Sequence, residues 1–153
     1  MSKLVVGDAD ALVALADGKD ANHKKAIRIS DWLLKKGYEV IFPNTAILEA
    51  ITALKRGKNL PEKAHILNRQ YQDGVFSVEF VTEEIQDRAS QRFEKTISKK
   101  NTIFDAVVAE TAIELNADAI FSFDKVLGCV NSRISLTSSS VYILSYINVV
   151  YFI

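Results

Sequence analysis

Four acidic residues stand far apart in this chain, each beside an apolar segment. They are Asp8 after Val5-Val6-Gly7, Glu49 within Ala46-Ile47-Leu48-Glu49-Ala50-Ile51, Asp105 before Ala106-Val107-Val108, and Asp124 after Phe121-Ser122-Phe123. Carboxylates gathered at one end of a parallel sheet would make a cage of hard oxygen donors. Such a cage suits Mg²⁺ or Mn²⁺, and a metal held by carboxylates and water is a common means of hydrolysing phosphodiesters.

Each acid also has a plainer reading. Asp8 and Asp10 could cap the helix that follows them. Asp105 could be a favourable charge at a helix N-terminus. Asp124 could close a turn. Glu49 is harder to explain this way. On its helix Ile47, Leu48, Ile51 and Leu54 make an apolar stripe, whereas Glu49 shares a stripe of small residues with Thr45, Ala46, Thr52 and Ala53. One carboxylate among small residues suggests a crevice wall or close helix packing.

The elements needed to bring these acids together are legible as a βα alternation. Short apolar runs at 3–7, 38–42, 75–81 and 119–123 read as strands. Helical patterns cover 10–16, 22–36, about 45–56, 62–71, about 82–95 and 103–115, with Gly37 and Gly57 at helix ends and Pro61 near a start. The expected fold is α/β: an open, mostly parallel sheet of four to five strands with helices on both faces, in three layers. In such sheets ligands bind beyond the carboxyl ends of the strands, where Asp8 and Asp124 fall.

At 153 residues the chain is expected to form one domain, 1–153, best supported over 3–130. A single cysteine, Cys129, rules out an internal disulfide framework, and two histidines leave little for a zinc centre. No leader pattern opens the chain, so a cytoplasmic location is expected. Nineteen basic and nineteen acidic residues cancel, so no whole-protein positive field draws in nucleic acid. Residues 131–153 form an apolar tail, uncharged from 134 onward; its Val-, Ile-, Tyr- and Phe-rich part, 141–153, is too short and, at Ser145 and Asn148, too polar for a membrane span, and the tail reads as a last strand or an interface segment.

Together the four acidic segments resemble the motifs of PIN domains, most closely the short toxins of VapC type. The opening strand and helix match Val5-Val6-Gly7-Asp8-Ala9-Asp10-Ala11-Leu12. The second motif matches residues 44–54 around Glu49, the third Asp105-Ala106-Val107-Val108-Ala109, and the fourth Ser122-Phe123-Asp124. Asp10 departs from the pattern, because that position more often holds Ser, Thr or Asn. The resemblance implies a metal-dependent endoribonuclease using Mg²⁺ or Mn²⁺, with Asp8, Glu49, Asp105 and Asp124 as catalytic metal ligands, direct or through water. Ser122 would support a carboxylate and Asp10 would be auxiliary. Lys99, Lys100 and Asn101 could touch substrate phosphates or form an exposed loop. The resemblance also implies an RNA substrate, an antitoxin partner and a homodimer, with no membrane association. Two alternatives remain at this point. Asp8-Ala9-Asp10 also fits the opening of haloacid-dehalogenase-type phosphatases, and a PIN-like domain can persist as a non-catalytic binding module.

Overall fold

In the computed structural model the described residues are 3–124 and 142–143. Five strands form one parallel sheet: β1 (Lys3–Gly7), β2 (Tyr38–Pro43), β3 (Ser77–Glu79), β4 (Ala119–Phe121) and β5 (Tyr142–Ile143), in the order β3-β2-β1-β4-β5. Six α-helices connect or cover them: α1 (Ala9–Ala16), α2 (His23–Lys35), α3 (Asn44–Thr52), α4 (Pro61–Gln72), α5 (Glu83–Glu94) and α6 (Ile103–Glu114). This is the expected α/β architecture. Of the apolar tail, β5 pairs beside β4; the reading of the rest of that tail lies outside the described residues.

Strand pleat sorts the core. Val5, Ala119 and Phe121 face one side and pack with Ala11 and Ala14 of α1 and Ala26 and Leu33 of α2. Val6 and Ile120 face the other and pack with Val108, Ala109 and Ala112 of α6. Neighbouring residues on a strand point to opposite faces, so both sides of β1 are buried and it reads as a continuous apolar run. The strand order reverses between β1 and β4. That switch point opens a crevice at the carboxyl ends of the two strands.

Several boundaries differ from the sequence expectation. The third strand is three residues long, with Val75 and Phe80 exposed on either side. Leu48, expected on the apolar stripe of its helix, is 48% exposed, and Leu34 near the end of α2 is 78% exposed. The buried side of α3 is instead Ala46, Ile47 and Ala50. The helix expected over 45–56 ends as α-helix at Thr52 and continues as a π-helical turn, Ala53–Gly57. Periodicity of 3.6 cannot reveal such a turn, because its wider closure depends on tertiary packing. Here the fully buried Leu54 anchors it in the core.

Gly7 ends β1 against the ring of Phe42 on β2, and a Cβ there would overlap that ring. Phe42 is itself packed edge-on against Phe76, with centroids 5.9 Å apart. Gly7→Ala is therefore expected to destabilise the fold by roughly 2–3 kcal/mol, as overpacked cores do. Urea denaturation would read this as a lower midpoint at unchanged slope; an unchanged midpoint would mean that the ring has room to move.

Candidate active site

Four elements converge on the crevice. The chain leaves β1 into Asp8, whose N–H donates to Phe121 O at 3.0 Å and so extends the β1–β4 ladder by one residue. Asp8 then caps α1, its Oδ1 accepting from Ala9 N. β4 runs into Ser122, Phe123 and Asp124. α3 presents Glu49. At the head of α6, Asp105 closes a capping box with Thr102: Asp105 Oδ2 accepts from Thr102 N at 2.7 Å, and Thr102 Oγ1 accepts from Asp105 N at 3.2 Å. The structure thus gives Asp8 and Asp105 their capping roles, and capping fixes the orientation of both side chains at the heads of α1 and α6.

Ser122 ties the centre together. It is fully buried, and its Oγ lies 3.0 Å from Asp8 Oδ2 and 3.1 Å from Asp10 Oδ2, while accepting from Asp124 N at 3.0 Å. A hydroxyl has one proton to give, so two carboxylates compete for it. Asp10 Oδ2 also accepts from Phe123 N at 2.8 Å. Its other oxygen, Oδ1, is buried without a hydrogen-bond partner. Asp10 is therefore bonded into the cluster; the cap of α1 is Asp8, and Asp10, which the sequence also offered as a cap, lies inside the first turn.

The acids act on one another. Burial pushes Asp8 well above the ordinary carboxylate range, and the charges of Asp10 and Asp105 add to this. Burial raises Asp10 to about 6, with Asp124 contributing. Glu49 is raised to about 7 by burial and then by Asp105 and Asp10. Asp105 is raised by burial and by Asp124, against the pull of Thr102. Five carboxylates from four elements thus share one electrostatic field.

The donor set is all oxygen, which suits Mg²⁺ or Mn²⁺. Among the described residues, no three carboxylates, imidazoles or thiols stand close enough to enclose an ion directly. The arrangement is an open set and not the closed cage expected from the sequence. Mg²⁺ keeps several waters and takes few direct carboxylates, so an open set of acids with one unpartnered buried oxygen fits it.

A cleft of roughly 570 Å³ leads to these groups, lined by Asp10, Glu49 and Asp124 and by residues that sequence reading did not single out: Asp20, Asn22 and Lys58. Lys100 lines it too, whereas its neighbour Lys99 is exposed and outside the lining. Asn101 is half-buried at the start of the turn into α6 and also outside the lining. Lys25 places its ammonium 5.7 Å from the Phe123 ring centroid, beside the site. Thr102 was missed despite a legible signal, the Thr-x-x-Asp spacing of a capping box. Lys58 had no such signal, because its position depends on the π turn.

Over residues 5–130 the sequence matches the family described as the PIN domain. Among solved structures, the fold is similar to that of Mycobacterium tuberculosis VapC20, described as a sarcin-ricin loop cleaving toxin. The TM-score is 0.72, covering 82% of this chain and 94% of that one, at 20% sequence identity. No curated protein matches the sequence. The phosphatase alternative is set aside by the family match. With its four acidic motifs in order and most of its length matched, the chain belongs to the PIN domain family.

Proposed function

We propose that this chain is a metal-dependent endoribonuclease and the toxin of a toxin–antitoxin pair. The observation that carries this reading is the convergence of Asp8, Asp10, Glu49, Asp105 and Asp124 on one crevice at the β1–β4 switch point, with every acid of the family's motifs present. Retention of all of them speaks against a binding module. The likeness to VapC20, a toxin that cuts RNA, points the same way.

Asp8, Glu49, Asp105 and Asp124 would hold the ion, directly or through water. Ser122 orients Asp8 and Asp10 by its shared hydroxyl, and Asp10 contributes its unpartnered oxygen. A bound Mg²⁺ or Mn²⁺ supplies a more acidic water and a counter-charge for the phosphoryl oxygens. The carboxylates compensate the cation, and the half-buried cleft limits competing solvent. Lys100 faces the strand's phosphates from the rim. By the same likeness the chain acts in the cytoplasm, pairs with a second copy and is silenced by an antitoxin segment that occupies the cleft. Among the described residues no helix is long and apolar enough to cross a membrane.

The test is cleavage of a labelled single-stranded RNA by folded protein, with Mg²⁺, with Mn²⁺ and with EDTA. Endonucleolytic products that form only with metal support the proposal. RNA left whole under all three conditions would refute it.

A further inference from the structure

We propose that Lys58 is a substrate-binding residue that holds a backbone phosphate of single-stranded RNA in the cleft, next to the phosphodiester presented to the carboxylates. This rests on the nuclease reading of the same site. Lys58 follows the π-helical turn Ala53–Gly57, and its N–H closes that turn on Ala53 O at 2.9 Å. Short π segments are uncommon and frequently occur at functional sites. This one extends the helix that carries Glu49 and delivers Lys58 to the lining of the cleft that Glu49 also lines.

The ammonium is held in place. Its Nζ lies 2.9 Å from Asp20 Oδ2 and 3.9 Å from Asp17 Oδ2, and the side chain remains 41% exposed. The hydrogen bond that Lys58 donates to Asp20 raises the lysine further, so it is a fixed cation and no base. An ammonium has three donors. Asp20 takes one at hydrogen-bond distance and Asp17 stands beyond it, so the side chain, partly exposed in the lining of the cleft, retains donor capacity. Lys58 is also separate from the metal-binding acids: the charges that shift Glu49 are Asp105 and Asp10. A phosphate held by Lys58 would share the ammonium with Asp20, the carboxylate that competes for it. A half-exposed ion pair adds little stability, so removing it should spare the fold.

The experiment measures two things in parallel. One is the kinetics of RNA cleavage by the variants. The other is fluorescence anisotropy of a labelled single-stranded RNA with the same variants in an Asp105→Asn background, with Mg²⁺, so that the strand is bound and not cut. Lys58→Gln is expected to weaken binding and raise KM about tenfold with kcat nearly unchanged, as loss of a charge-assisted phosphate contact does. The slope of log affinity against log salt should flatten by about 0.7, the share of one phosphate contact on a single strand. Lys58→Arg should restore both. Lys55→Gln removes the same charge from an exposed residue outside the cleft lining and should change neither. Asp20→Asn, which removes the competing carboxylate, should tighten binding.

Wild-type binding, KM and salt slope in Lys58→Gln would overturn the proposal. So would parallel weakening in Lys58→Gln and Asp20→Asn with a shared drop in melting temperature, the signature of a structural strap. If wild type binds RNA without cutting it, the nuclease reading fails and the anisotropy series still judges Lys58. If wild type does not bind RNA, the phosphate contact falls with it.

Discussion

Asp105→Asn is expected to yield a folded protein that no longer cuts RNA. The substitution keeps the shape of the side chain, and the amide oxygen can still accept from Thr102 N, so the capping box at the head of α6 survives. What is lost is one negative charge where the metal is proposed to bind. An interaction worth about 4 kcal/mol in the transition state corresponds to roughly a thousandfold in kcat/KM. Asp8→Asn should behave alike. Without metal, neither variant should be less stable than wild type, because each removes a carboxylate that its neighbours repel. Single-turnover cleavage and thermal melts of the same samples separate the two effects. Wild-type cutting by Asp105→Asn would remove that residue from the site; loss of cutting together with loss of fold would show that the charge serves structure.

The second large effect is on stability against pH. Asp10 and Glu49 bind protons more tightly in the folded chain than when unfolded, with values near 6 and 7. Between about pH 4 and 7 the folded state therefore holds protons that the unfolded state has released. Unfolding releases them, and stability falls as pH rises through this window. The raised value of Asp10 alone corresponds to about 3 kcal/mol. Glu49 is more open to solvent and adds less. Asp20 is shifted the other way, and its contribution changes only at more acid pH. In EDTA, the melting temperature should drop by roughly 10 °C from pH 5 to pH 7.5. Mg²⁺ should restore much of this at pH 7.5 and little at pH 5, where protons compete for the same oxygens. A melting temperature independent of pH in EDTA would mean that the acids are not compressed as described. An Asp10→Asn variant that keeps the full pH slope would assign the effect elsewhere.

Much of this was legible in the chain. The strands at β1 and β4 are apolar on both faces, a pattern that only a parallel sheet buried on both sides explains. The four acids were visible because each follows a strand or heads or lines a helix. Asp10 was ambiguous in sequence, since one residue type serves equally as cap and as ligand; its bonds to Phe123 and Ser122, more than a hundred residues away, place it in the acidic cluster. Glu110 was not singled out, for a different reason. It lies in the apolar helix α6 yet is buried, satisfied by Arg88 at 3.3 Å and Arg92 at 2.6 Å from α5. Helix periodicity carries no information about such a cross-helix pairing. Lys58 was hidden because a π turn leaves no period of its own.

The ladder between β1 and β4 joins residues 114 apart, from Val5 beside Ala119 to Gly7 beside Phe121. Contacts of such sequence separation are entropically expensive to close and form slowly. Asp8 and Asp10 are made early during synthesis, yet the hydroxyl that organises them arrives only with Ser122. A chain that has not yet added β4 therefore carries Asp8 and Asp10 without the hydroxyl that ties them together, so the acidic cluster is expected to assemble only once β4 has docked beside β1.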